Sequence, residues 1–80
     1  MMSEVVHPDP QQLRWLAATR MPYGKYAGRL LLDLPEPYVV WLVGHQLPSG
    51  LLGQQLLEIY EIKVNGLEGL LRPLIPQGNL

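Results

Sequence analysis

The chain has 80 residues, a formal net charge of −1 and no cysteine. Its length predicts one domain with a small core, because a chain of this size buries only about 60–65% of the surface that it exposes when unfolded. The missing thiol excludes disulfides, cysteine nucleophiles and thiolate metal sites, and residues 1–10 show no apolar leader, so the sequence predicts a cytoplasmic protein.

The two ends of the chain differ in composition from its middle. We expect residues 1–80 to form a single domain, with a loose N-terminal tail over residues 1–8 and a frayed C-terminal tail over residues 76–80. No stretch approaches the roughly 18 continuous apolar residues that a membrane-spanning helix needs. We therefore expect no membrane insertion.

The first predicted helix begins at Asp9 and Pro10. Aspartate is a preferred N-cap residue, and proline is favoured at the first helical position. The helix is expected to run to about Ala18. Trp15 points away from its apolar face, so it either covers another element or offers a contact surface.

The segment from Thr19 to Leu32 predicts a β-hairpin. Pro22, Gly24 and Gly28 disfavour a helix. Two tyrosines and the run from Leu30 to Leu32 favour strands instead. We place the turn between Gly24 and Gly28, and we expect helices to pack on the hairpin because two strands alone are marginally stable.

The second predicted helix starts after Asp33 and runs to about His45. Asp33 and Glu36 have the spacing of a capping box, and the adjacent prolines occupy positions where backbone donors are free. The side of this helix that is expected to face the core carries Tyr38, Trp41 and Leu42.

The third predicted helix, about Gly50 to Asn65, shows the clearest periodicity, and Ser49 is placed to cap it. Its polar stripe consists of Gln54, Glu58, Glu61 and Asn65. The remaining apolar arc is broad, which predicts contacts on two sides and a central position for this helix. Together the elements predict an α+β fold in which one β-hairpin packs against about three helices.

The sequence offers no catalytic or metal-binding constellation. His7 and His45 have no paired ligand at helical spacing, and zinc needs three or four ligands. Glu58 and Glu61 are one turn apart on the polar stripe, which we interpret as a solvated helix face and not as an acid/base pair. We therefore expect no enzyme activity, no cofactor and no metal.

The segment from Tyr23 to Arg29 carries the candidate functional residues. Between Gln11 and Leu32 there is no acidic residue, so a local basic surface is expected. The structural interpretation, which is favoured, is that the glycines make the turn, the tyrosines pack on helices and the cations keep a strand edge soluble. The functional interpretation is nucleic-acid binding by stacking and phosphate contact, or contact with a protein partner. The candidate nucleic-acid-binding residues are Arg14, Arg20, Tyr23, Lys25, Tyr26 and Arg29.

The same segment carries a family resemblance. Residues 21–28 read Met-Pro-Tyr-Gly-Lys-Tyr-Ala-Gly, and Asp33-Leu34-Pro35, Tyr38 and Trp41-Leu42 follow. This pattern resembles a family of small bacterial proteins described as putative quorum-sensing-regulated virulence factors, whose motif is close to M-P-[FY]-G-K-[YH]-x-G. Ala27 replaces a basic residue that is frequent in that family, and Pro37 replaces a polar one.

The resemblance implies a binding role without assigning an activity, because the family description concerns regulation. A module similar to this family stands at the C-terminus of exonuclease X-like proteins, beside a nuclease domain. That association implies a non-catalytic accessory module whose first-choice partner is single-stranded or duplex nucleic acid. The alternative is a protein-interaction or self-association module, since a small domain rich in leucine can leave an apolar patch exposed.

Overall fold

The computed structural model describes residues 10–76, and this range is mainly α-helical. It contains the helices α1 (Pro10–Ala18), α2 (Glu36–His45), α3 (Gly50–Val64) and α4 (Glu68–Leu71), with 3₁₀ helices at Leu31–Asp33 and Arg72–Leu74. The three long helices therefore lie where the sequence predicts them. The predicted N-cap at Asp9 lies outside the described residues. No helix within residues 10–76 combines the length and apolar character that crossing a membrane requires.

The predicted α+β fold with a β-hairpin is wrong for the described part of the chain. Between α1 and the first 3₁₀ helix the backbone makes a single antiparallel bridge, from Arg20 to Leu30, and no strand forms. The reason lies in the leucine run that favoured a strand. Leu31 and Leu32 are both fully buried, whereas successive side chains of a strand point to opposite faces. Winding into a 3₁₀ helix places both leucines in the core.

The core is formed by two sets of packed elements. In one, α2 packs against α3; in the other, α1 packs against α4 and both 3₁₀ helices. Its buried side chains are Leu16, Ala17, Met21, Leu31, Leu32, Leu34, Val39, Leu42, Leu56, Ile59 and Leu71. Every long helix contributes to this cluster, so the core forms only when segments distant in sequence meet. The polar stripe of α3 faces solvent as the sequence predicts.

The start of α2 differs from the predicted capping box. The N-cap residue is Pro35, and no side chain caps the helix. Asp33 belongs to the first 3₁₀ helix and accepts a hydrogen bond from Arg72 Nη1 at 2.8 Å. The fixed φ of Pro35 and Pro37 sets the helical start instead.

The connection between α2 and α3 passes very close to α3. Gly53 is buried, and the carbonyl oxygen of Pro48 occupies the space that a Cβ atom at this position would need. A glycine at position 53 therefore allows the chain to turn tightly into the helix. Ser49 stands at the predicted N-cap position, although its side chain makes no capping hydrogen bond.

Candidate functional site

The basic loop, residues 20–30, is closed around one buried methionine. Met21 N–H donates to Arg29 O at 2.7 Å, and Gly28 N–H donates to Met21 O at 2.8 Å. The Met21 side chain is only 1% exposed. Because the core side chain and both backbone hydrogen bonds belong to one residue, the core fixes the position of the whole loop.

Two turns bend the loop where the sequence predicts a turn. Ala27 N–H donates to Gly24 O and Arg29 N–H donates to Tyr26 O, both at 3.1 Å. Gly24 and Gly28 have φ values of 84° and 90°, which side-chain-bearing residues rarely adopt. Lys25, Tyr26 and Arg29 therefore lie in the part of the loop where the backbone reverses direction.

Lys25 and Arg29 converge on the ring of Tyr26. Lys25 Nζ lies 5.5 Å from the ring centroid, and Arg29 Cζ lies 5.1 Å from it. Both distances are within the range of cation–π attraction. The ring itself is half-buried and packs edge-on against Tyr38, with centroids 4.7 Å apart. Tyr23, the other tyrosine of the loop, is 50% exposed.

Arg20 braces the other side of the loop. Its Nη1 donates to Gly28 O at 2.7 Å. Arg20 and Arg29 line a shallow depression together with Gly28, Leu30 and Asp33. The Asp33 carboxylate in this depression is paired with Arg72 at 2.8 Å. The depression therefore presents guanidinium groups beside one carboxylate that already has a counter-ion.

Arg14 stands apart from the other predicted residues. It is exposed on α1, and it makes no hydrogen bond, ion pair or ring contact within the described part of the chain. Of the six candidate residues, the structure brings Lys25, Tyr26 and Arg29 into contact and places Arg20 beside Arg29, whereas Tyr23 is exposed on the loop and Arg14 lies on α1.

An aromatic row extends from the basic loop along α2, and the sequence interpretation missed it. The row consists of Tyr26, Tyr38, Trp41 and His45. Tyr38 and Trp41 have centroids 6.3 Å apart with planes at 22°, and Trp41 and His45 have centroids 5.8 Å apart with planes at 16°. The i, i+3, i+7 spacing of the three residues on α2 was the available signal, since it places them on one helix face.

Trp41 corrects a prediction. We expected it in the core, yet its side chain is 43% exposed. Leu42 and Val39 occupy the buried side of α2, and Tyr38 is half-buried between the two environments. The exposed part of Trp41 therefore belongs to the surface that the aromatic row forms.

The histidines and carboxylates form no metal site in the described range. His45 Nδ1 lies 3.2 Å from Trp41 O at the end of α2. Glu58 and Glu61 are exposed on α3. No group of three His, Cys, Asp or Glu residues within residues 10–76 could hold a metal ion. His7 lies outside the described residues.

Trp15 lies on a different surface from the aromatic row. It is 52% exposed and lines a shallow groove between α1 and α3 with Leu51. Gln55, from the same groove, donates to the Thr19 hydroxyl at 3.0 Å. Trp15 thus does not cover the basic loop, and the two tryptophans of the chain report on separate surfaces.

Comparison with known proteins confirms the resemblance that the motif indicates. A family model described as "Putative quorum-sensing-regulated virulence factor" matches residues 9–74. The chain is 43% identical over 67 residues to "Uncharacterized protein YpeB" of Escherichia coli strain K12, a match that covers 82% of this chain and 93% of that protein. The protein of the same name from Escherichia coli O157:H7 matches equally. No solved structure matches. Since the family match includes the whole basic loop and all four helices, the chain belongs to the family of putative quorum-sensing-regulated virulence factors.

Proposed function

We propose that the protein is a non-catalytic module that binds nucleic acid through the basic loop. The observation that carries the proposal is the convergence of Lys25 and Arg29 on the ring of Tyr26. A phosphate backbone is a row of closely spaced negative charges, and its affinity for proteins comes mainly from clustered lysine and arginine.

The two cations lie close enough to act together. Since each lies within 5.5 Å of the same ring centroid, the two charged groups are at most about 11 Å apart. This separation is near the Debye length of about 10 Å at 0.1 M salt, so their potentials overlap. Neighbouring phosphates of one strand can therefore interact with both cations at the same time.

Arg20 adds a third cation to the same loop. Its Nη1 is held by Gly28 O, and a guanidinium has five N–H donors, so donors are left for a phosphate oxygen. Because Arg72 already compensates Asp33, the depression beside Arg20 and Arg29 attracts anions. Each held cation also loses less conformational entropy on binding than a free side chain does.

A protein-binding role has weaker support from the surface. The exposed large apolar side chains are distributed over all four helices: Trp15, Val40, Trp41, Leu51, Leu57, Val64 and Leu70, with Leu47 and Leu67 in the connections. Exposed apolar side chains spread over several surfaces are usual on soluble domains. The clustered cations distinguish the basic loop from this background.

The test is a fluorescence anisotropy titration of a labelled oligonucleotide at several salt concentrations. With three phosphate contacts, the logarithm of the affinity should fall against the logarithm of salt with a slope of about −2 for a single strand. Replacing two of the cations, Lys25→Glu plus Arg29→Glu, should abolish binding while the circular dichroism spectrum stays unchanged, since both side chains are exposed.

The matched comparison makes the same arginine-to-glutamate substitution once inside the basic loop and once outside it. Arg29→Glu changes the loop, and Arg14→Glu makes the same change of charge on α1, outside the loop. Arg29→Glu should weaken binding far more than Arg14→Glu. Equal losses, or unchanged binding in the double variant, would contradict a site at the basic loop.

A further inference from the structure

The aromatic row begins at the cations of the basic loop and continues away from them along α2. The Tyr26 ring contacts Lys25, Arg29 and Tyr38, and Trp41 and His45 follow Tyr38 along α2. We infer that the ligand is single-stranded nucleic acid, whose backbone lies on the basic loop while its bases stack along the aromatic row. This inference rests on the proposed function and names the form of its ligand.

The exposed face of α2 suits bases and not phosphates. From Pro37 to Pro48 the chain has no Asp, Glu, Lys or Arg. On that face Val40 is 44% exposed and Trp41 is 43% exposed. An uncharged, partly apolar surface neither holds a phosphate nor repels one, but it gains free energy when the flat face of a base covers it.

The division of charge matches an unpaired strand. Cations are confined to one end of the row, and aromatic rings occupy the rest. A single strand presents its phosphates along one edge and its bases along the other, whereas a duplex keeps its base faces within the stack and presents mostly phosphates. The arrangement therefore favours a single strand over a duplex.

The length of the row sets the expected size of the site. Seven residues separate Tyr38 from His45, which corresponds to about 10 Å along the helix axis. A base that covers a ring with its flat face needs that ring to itself, and the α2 part of the row has three rings, so it accommodates at most about three bases. An oligonucleotide of about eight residues is long enough to reach both the basic loop and the row.

Tryptophan fluorescence tests the inference directly. Trp15→Phe leaves Trp41 as the sole tryptophan and alters only the α1–α3 groove. Adding an oligothymidylate of about eight nucleotides should quench the Trp41 emission, since stacking places a base against the indole. A duplex of the same length should bind more weakly and leave the emission unchanged.

A second variant measures what the indole contributes. Trp41→Leu should weaken binding of the oligothymidylate at least about fivefold, as expected for the loss of one stacked base, while the salt dependence keeps its slope because no cation is removed. The same substitution at Trp15, which is 52% exposed and lines the α1–α3 groove, should leave the affinity unchanged.

Two results would overturn the inference, and they differ in what they imply. Binding that depends on the basic loop, equals that of the duplex and leaves Trp41 emission unchanged would leave the proposed function standing and remove the aromatic row from it. No binding of either nucleic acid at low salt would overturn the proposed function itself and this inference with it.

Discussion

At the scale of single residues, Lys63 holds the first 3₁₀ helix in place. Its side chain is only 7% exposed, and its Nζ donates to Leu32 O at 2.8 Å. In a 3₁₀ helix that carbonyl would receive the N–H of the residue three positions later, which here is Pro35, a residue without an N–H. Lys63 supplies the missing donor, and Glu68 lies 3.8 Å from the ammonium as its counter-ion.

Lys63→Met keeps a long unbranched side chain and removes the donor. We expect the free energy of unfolding to fall by about 1–3 kcal/mol, because the buried Leu32 carbonyl loses its hydrogen bond. Urea unfolding followed by circular dichroism measures the change. Lys25→Met is the matched control and should change stability by less than about 0.5 kcal/mol, since Lys25 is exposed. A change in Lys63→Met no larger than in the control would contradict this role.

Single residues on α2 show where sequence reasoning stops. The helix is apolar on nearly every side, so the pattern does not indicate which side faces the core, and Trp41 was placed there wrongly. On α3 the four residues of the polar stripe were placed correctly in solvent, although Leu57 and Val64 of the apolar arc are exposed as well. The burial of Lys63 could not be predicted either, because it depends on a carbonyl 31 positions earlier in the chain.

At the scale of elements, prolines and glycines made the helices predictable. Pro10 marks the start of α1, Pro35 and Pro37 mark the start of α2, and Gly50 begins α3. These residues act through their own backbone dihedral angles, so a local pattern is sufficient. The basic loop was mistaken for a hairpin because its conformation depends on burying Met21 and the leucines after it, which is a demand of the core and not of the local sequence.

Gly53 gives the prediction at this scale. Gly53→Ala would drive a methyl group into the Pro48 carbonyl oxygen, so the α2–α3 connection must move away from the helix. We expect a loss of about 1–3 kcal/mol in the free energy of unfolding, as for other overpacked sites.

The control for this variant is the same substitution in open space. Nothing lies within 4 Å of a Cβ atom built on Gly44, near the end of α2. Because alanine has the higher helix propensity, Gly44→Ala should raise the free energy of unfolding by up to about 1 kcal/mol. The two substitutions should therefore shift the midpoint of thermal unfolding in opposite directions. A stabilising Gly53→Ala would show that the Pro48 carbonyl does not approach α3 so closely.

At the scale of the whole molecule, the positions of the charges matter more than their sum. The net charge is −1, yet three cations lie in the basic loop and Asp33, beside them, is paired with Arg72. Both partners of that pair are about half exposed, so the pair itself contributes little to stability. Its effect is on the potential of the depression, because it decides how much negative charge the depression presents.

Asp33→Asn tests this distribution. Removing the carboxylate should change the free energy of unfolding by less than about 1 kcal/mol and raise the affinity for an oligonucleotide by up to about fivefold at low salt. Glu58→Gln removes the same charge from the exposed stripe of α3, which does not line the depression. Anisotropy titrations of both variants separate position from net charge, and equal gains in affinity would contradict a local effect.

The two lysine side chains are expected to react with amine-specific reagents at very different rates. Lys25 is exposed in the basic loop, whereas Lys63 is shielded and bonded to a carbonyl. A reagent that acylates accessible amines under native conditions will attach to the Lys25 side chain and spare Lys63, which leaves a dye or crosslinker on the loop. Acylation of Lys63 requires α3 and the first 3₁₀ helix to separate. The rate of acylation at Lys63 therefore measures how often this part of the core opens.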